Sequence, residues 1–130
     1  MAIPSGEKFT VLVVEDNAAH REYITYLLKK RGLNIVKATD GESAVKLLDG
    51  LKIDCALLDI HLGKGMSGIQ LMVELRNKDK YKKIPIISVT AFYSKDNKEA
   101  FINQGFTDFI AKPFNYNQLD EMLHNYLYFA

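Results

Sequence analysis

The sequence predicts an α/β protein, a doubly wound five-stranded parallel sheet with helices on both faces. Short apolar runs recur at residues 11–14, 34–38, 55–58, 84–89 and 106–110. Two of them, Val11-Leu12-Val13-Val14 and Cys55-Ala56-Leu57-Leu58, are apolar throughout instead of alternating. A strand reads that way when helices cover both faces of a parallel sheet. Between the runs lie longer stretches with apolar residues at helical spacing, and strands that alternate with helices assemble into this layered architecture.

The first helical stretch spans residues 17–31, with Asn17 placed to cap it, Gly32 to stop it, and Tyr23, Ile24, Leu27 and Leu28 on one side. After the 34–38 run a second helix starts near Glu42, turns Ala44, Val45, Leu47 and Leu48 inward, and ends at Gly50. The third starts at Ser67-Gly68 and carries Ile69, Leu71, Met72 and Leu75. The lysine-rich piece at 78–83, just before Pro85, reads as a solvated loop. The fourth helix, residues 95–104, is weakly apolar through Ala100, Phe101 and Ile102 and ends at Gly105. The fifth, residues 116–128, presents Leu119, Met122, Leu123, Tyr126 and Leu127, and Tyr126, Tyr128 and Phe129 read as helix packing.

A chain of 130 residues fits one compact domain, expected over residues 8–128 after a short N-terminal extension at 1–7. Hydrophobic residues make up 48% and charged residues 25%, as in ordinary globular proteins. Seventeen Lys+Arg against sixteen Asp+Glu leave a formal charge of +1, so no global field argues for nucleic acid or an anionic membrane. The single cysteine, Cys55, cannot form an internal disulfide and reads as a buried, inert thiol. Residues 1–8 lack the apolar stretch of a signal peptide, and no segment approaches the ~20 apolar residues needed to span a bilayer, so the cytoplasm is the expected compartment.

In open α/β sheets, ligands sit beyond the carboxyl ends of the strands. Glu15 and Asp16 follow the first run, Asp59 the third, Thr90 the fourth, and Ala111, Lys112 and Pro113 the fifth. Taken singly, each has an ordinary reading: Asp as a helix cap, Thr as the end of a strand, Lys as a surface cation. Together they suit a different purpose. If the first and third strands are neighbours, Glu15, Asp16 and Asp59 converge and repel by roughly 4 kcal/mol per close pair at an effective dielectric of about 20. A cation or proton uptake relieves such repulsion, and for a cation the oxygen-only ligands favour Mg²⁺ or Mn²⁺ over zinc. A carboxylate nucleophile, a divalent cation, a lysine and a hydroxyl suit phosphoryl transfer to the carboxylate.

These motifs resemble the response-regulator receiver family of two-component signalling, which includes the chemotaxis receivers. The resemblance rests on Val11-Leu12-Val13-Val14-Glu15-Asp16-Asn17, Leu57-Leu58-Asp59-Ile60-His61-Leu62, Ser88-Val89-Thr90-Ala91 and Gly105-Phe106-Thr107-Asp108-Phe109-Ile110-Ala111-Lys112-Pro113-Phe114, in that order. It implies a flavodoxin-like strand order of 2-1-3-4-5. It also implies that Asp59 accepts a phosphoryl group from a phosphohistidine on a histidine kinase or phosphotransfer protein. Asp16 and Asp59 would bind Mg²⁺ directly with the backbone carbonyl of His61, and Glu15 mainly through water. Lys112 would pair with the phosphoryl group, Thr90 would hydrogen-bond it, and the backbone N–H of Ala91 would donate to it. The Lys112–Pro113 peptide is expected to be cis. Thr90 and Phe109 would switch together and bias a partner-binding surface on the fourth helix, fifth strand and fifth helix. The chain would be a monomer or a weak, phosphorylation-dependent dimer, would not itself be an enzyme, and would lose its phosphoryl group slowly.

The sequence departs from the family pattern at several positions. Phe109 stands where many members have Tyr. The loop His61-Leu62-Gly63-Lys64-Gly65-Met66-Ser67-Gly68 lacks a common proline and is one residue longer. The resemblance implies that His61 and Phe92 occupy positions that tune how quickly the phosphoryl group is lost, where a bulky Phe92 would shield the acyl phosphate from water. His61 is expected to act through its backbone, and His20 and His124 read as surface or partly packed. The competing enzyme reading, a haloacid-dehalogenase-like phosphatase using Asp59 as nucleophile, wants a second Asp two residues on, where His61 stands. A flavin-binding module would need a phosphate-cradling loop after the first strand, which Glu15 and Asp16 make acidic. The residues present hold no output module, so the receiver is read as standing alone or as part of a larger regulator or hybrid kinase.

Overall fold

The apolar run after Phe9 becomes β1 (Thr10–Val14), the hub of the sheet. It pairs in parallel with β2 (Asn34–Ala38) on one side and β3 (Cys55–Asp59) on the other, in register Val14↔Ala38 and Val14↔Leu58. β4 (Ile86–Thr90) joins β3, and β5 (Asp108–Ala111) closes the far edge, giving the order β2-β1-β3-β4-β5 expected from the resemblance. The crossovers are α1 (Ala18–Lys30), α2 (Gly41–Leu47), α3 (Gly68–Arg76) and α4 (Lys95–Gln104), and α5 (Tyr116–Tyr126) follows β5. The structure is a computed structural model that describes residues 9–63, 65–91 and 95–127, the side chains of 95–98 and 101 excepted. Phe92, Tyr128 and Phe129 lie outside the described residues.

Successive strand side chains point to opposite faces, so the continuous apolar runs build two cores. Val11, Val13, Cys55, Leu57, Ile87 and Val89 meet Ile24, Leu27 and Leu28 of α1 and Leu119 and Leu123 of α5. Leu12, Val14, Ala56, Leu58 and Ile86 meet Ala44 and Leu48 at α2 and Leu71, Met72 and Leu75 of α3. Each fully buried Leu or Ile contributes about 1.5–3 kcal/mol, so the sheet is a rigid base for whatever its carboxyl edge carries. Cys55 lies in this core as expected, and burial pushes its thiol up to about 12, leaving it neutral.

Capping agrees with the sequence reading. Asn17 caps α1 by accepting from the His20 N–H at 3.0 Å, and Ser67 and Gln70 form a capping box at the start of α3. Four local expectations change. Leu47, expected to face inward, is 39% exposed. Ala44 and Leu48 hold the inward line of α2, and Leu47, one residue before Leu48, falls about 100° away around the helix. The lysine run at 78–83 is not wholly solvated, because a 3-10 turn at Asp79–Tyr81 inserts Tyr81 into the core, where its hydroxyl donates to Leu48 O and Leu51 O at 3.1 and 2.6 Å. β4 begins at Ile86 and not at 84, since Pro85 has no N–H to give the ladder and contributes only its carbonyl, which accepts from Ala56 N at 3.0 Å. β5 begins at Asp108, two residues later than the apolar pattern, although Thr107 N already bonds Ile86 O at 2.8 Å.

Candidate functional site

The pairing of β1 with β3 makes the carboxylates converge. Val14 lies opposite Leu58, so the next residues, Glu15 and Asp59, leave the sheet side by side, with Asp16 following Glu15. Carboxylate oxygens of Glu15, Asp16 and Asp59 all lie within 4.8 Å of one another. Glu15 is 1% and Asp59 6% exposed, whereas Asp16 faces solvent. Lys112, just beyond β5, reaches back across the strand ends to place Nζ 2.8 Å from Glu15 Oε2 and 3.5 Å from Asp59 Oδ2. The Lys112–Pro113 peptide is cis, as expected.

Among the described residues, the cluster brings more carboxylates together than cations that pair with them. Burial pushes the Glu15 carboxyl above its ordinary value, the hydrogen bond from Lys112 pulls it back, and the charge of Asp59 pushes it up again, for a net upward shift. When all are ionised, the three carboxylates outnumber the Lys112 ammonium that pairs with Glu15 and Asp59 at a largely buried edge. All the ligand atoms offered are oxygens, with Asp16 open to water. This donor set fits a hard divalent cation such as Mg²⁺.

The neighbouring backbone is shaped around these side chains. Asp59 Oδ1 accepts from His61 N at 3.0 Å, and Glu15 Oε1 from Asn17 N at 3.3 Å. At Gly68 a Cβ would lie 2.1 Å from the Asp59 carbonyl oxygen, so only glycine lets α3 start this close to the end of β3. Gly63 has φ +74°, and a Cβ there would come within 3.2 Å of Asp16 Oδ2. The 61–68 loop, whose course the sequence left open, is tied to α2 by Met66 N donating to Glu42 Oε1 at 2.8 Å.

Thr90 ends β4 one residue beyond Val89, the register partner of Asp59, and is fully buried. Ala91 follows at the surface. Phe109 is half-buried on β5 opposite Ser88, and lines a cleft of about 290 Å³ with Gln118, Glu121 and Met122 of α5. Sequence reasoning missed His20, which it left as a surface or partly packed residue. Its Nδ1 lies 3.2 Å from Lys112 Nζ and 3.7 Å from Glu15 Oε1. It also missed Arg21, whose Nη1 donates to the Glu15 carbonyl at 2.9 Å, and the Glu42 tie. The available signal was position: capping by Asn17 puts His20 and Arg21 in the first turn after the acidic pair.

Comparison with known proteins bears on the domain as a whole. The sequence pattern of the response regulator receiver domain matches residues 11–124. The chain is 36% identical over 121 residues to the hybrid signal transduction histidine kinase I of Dictyostelium discoideum, a match covering 88% of this chain and 7% of that protein. It is 36% identical over 109 residues to the phosphate regulon transcriptional regulatory protein PhoB of Escherichia coli strain K12, covering 84% of this chain and 47% of PhoB. It therefore spans less than half the length of these curated relatives. Among solved structures it is similar to the chemotaxis protein CheY4 of Vibrio cholerae, with TM-score 0.86, 26% identity, and coverage of 93% of this chain and 100% of that one. It is also similar to the receiver domain of the sensor histidine kinase PA1611 from Pseudomonas aeruginosa PAO1, solved with a magnesium ion coordinated in its active site cleft. There the TM-score is 0.83 at 28% identity, covering 92% of this chain and 98% of that one. Among the described residues, no helix is long and apolar enough to cross a membrane. With the sheet order, the clustered carboxylates and these matches in agreement, the chain belongs to the response regulator receiver domain family of two-component signalling.

Proposed function

We propose that Asp59 accepts a phosphoryl group from a phosphohistidine donor, a histidine kinase or phosphotransfer protein, in a Mg²⁺-dependent reaction. The observation that carries this reading is the convergence of Glu15, Asp16 and Asp59 within 4.8 Å beneath the Lys112 ammonium. A carboxylate oxygen of Asp59 forms the new bond to phosphorus as the P–N bond to the donor imidazole breaks and the ring leaves with the electron pair. Glu15, Asp16, Asp59 and the His61 backbone carbonyl hold Mg²⁺, with Mn²⁺ able to replace it. The ion, when bound, neutralises charge that builds on the transferring group. Lys112 pairs with the phosphoryl oxygens, while the Thr90 hydroxyl and the Ala91 N–H donate to them.

The product is a signalling state, with slow self-dephosphorylation ending it. Thr90, drawn toward the phosphoryl group, and Phe109, on the neighbouring strand, then shift the α4–β5–α5 surface that a downstream protein binds. The half-buried state of Phe109 beside a cleft on α5 supports that coupling. We assign the receiver unit to residues 8–128, acting in the cytoplasm as a monomer or weak phosphorylation-dependent dimer without direct nucleic-acid or membrane contact.

Incubation with Mg²⁺ and acetyl phosphate, followed by intact mass measurement, tests the proposal. One phosphoryl adduct on the wild type, lost in Asp59→Asn and on chelation of the metal, is the expected result. An adduct that persists in Asp59→Asn, or none on the wild type, overturns it.

A further inference from the structure

We propose that His20 is a positioning residue that holds the Lys112 ammonium in its donating orientation over the acceptor site, an inference that rests on the proposed role of Asp59. An ammonium has three N–H donors and no lone pair. Lys112 Nζ donates to Glu15 Oε2 at 2.8 Å, pairs with Asp59 Oδ2 at 3.5 Å and faces His20 Nδ1 at 3.2 Å. As a hydrogen bond, the third contact has the ammonium donating and the Nδ1 lone pair accepting, the arrangement of the tautomer that carries its proton on Nε2.

The imidazole is set in place from its own backbone. Asn17 Oδ1 accepts from the His20 N–H at 3.0 Å, and the next residue, Arg21, clamps the Glu15 carbonyl from its Nη1 at 2.9 Å. The first turn of α1 is thereby fixed to the end of β1, and His20 overlies the Lys112–Glu15 pair although its side chain is 53% exposed. His20 and Lys112 also line, with Tyr23, Ala91 and Phe114, a cleft of about 270 Å³ beside the carboxylates. Lysine is long and rotamer-rich, so an end held only by carboxylates across the site would sample many positions. His20 supplies the restraint from the open side. Of the carboxylates that would bind the metal, Glu15 is the one within its reach, with Oε1 at 3.7 Å from Nδ1, so Mg²⁺ affinity is measured alongside the rate.

The test compares the initial rate of adduct formation from acetyl phosphate at saturating Mg²⁺ with Mg²⁺ affinity measured by isothermal titration calorimetry. His20→Ala is expected to slow phosphorylation by about three- to tenfold, the effect of losing one ordinary hydrogen bond, with Mg²⁺ affinity unchanged. His20→Asn, whose Oδ1 occupies the place of Nδ1, restores most of the rate, and His20→Gln, whose acceptor lies one bond farther out, does not. In a Lys112→Ala background His20→Ala has no additional effect. Equal rates for wild type and His20→Ala, failure of His20→Asn to restore the rate, or a loss explained by weaker Mg²⁺ binding each overturn the positioning role alone. A wild type that takes up no phosphoryl group overturns the acceptor reading and this role with it.

Discussion

At the amino ends of the strands, Asp54 accepts from Thr10 N at 2.8 Å, and the Tyr81 hydroxyl bonds the carbonyls of Leu48 and Leu51. Arg76 there spreads its guanidinium over the carbonyls of Gly105, Tyr81, Lys82 and Ile84 and the Thr107 hydroxyl. At the carboxyl ends, Glu15 and Asp59 are as deeply buried, yet they face each other and Asp16 with Lys112 as the neighbouring cation. Both edges bury polar groups. One answers its polar groups with protein partners and holds loops and strands together; the other crowds three carboxylates around the Lys112 ammonium. Burial of polar atoms therefore does not distinguish the two edges. Crowding of like charge does.

The largest expected break of this comparison is on the amino side. Tyr81→Ala removes a wholly buried ring and should cost about 3–5 kcal/mol in urea unfolding. Tyr81→Phe strips only the hydroxyl from two carbonyls and should cost about 1–2 kcal/mol. Acceptor chemistry at the other edge should persist in both, as long as the chain stays folded. A Tyr81→Ala loss below about 1 kcal/mol would show that this edge is not the structural one.

A smaller effect is expected on the carboxyl side, with the opposite sign. The folded chain holds the Glu15 proton more tightly than the unfolded chain, where Glu titrates near 4.5, chiefly because of burial. The stability linked to Glu15 is therefore fully present below that value and is lost as pH rises through the raised folded value. In chelator, unfolding midpoints measured from about pH 5 to about pH 7 should fall less steeply with pH in Glu15→Gln than in wild type. Parallel slopes for the two proteins contradict the assignment.

The fold was legible because its signals are local. Continuous apolar runs marked both-face burial at β1 and β3, and Asn17 and Ser67 announced their helices within a few residues. The carboxylate cluster was legible for a topological reason: strand ends in a parallel sheet share one edge, so the residues after four strands could be placed together without coordinates. What escaped depends on pairs far apart in sequence. His20 meets Lys112 across 92 residues, and Glu42 ties Met66 across 24. Neither partner carries a local pattern that names the other. Tyr81 escaped because lysines around it dominate the composition, while one aromatic at the right turn decides the packing.

The two edges part most directly on adding Mg²⁺ to the metal-free protein and following thermal melting. A cation that binds only the assembled carboxylates should stabilise the wild type by about 2.7 kcal/mol at a hundredfold excess over its dissociation constant. Asp59→Asn should respond less, and Tyr81→Phe by as much as wild type. If millimolar Mg²⁺ leaves the wild-type melting curve unmoved, the carboxylates of Glu15, Asp16 and Asp59 do not form the cation site, and the account of this edge is wrong.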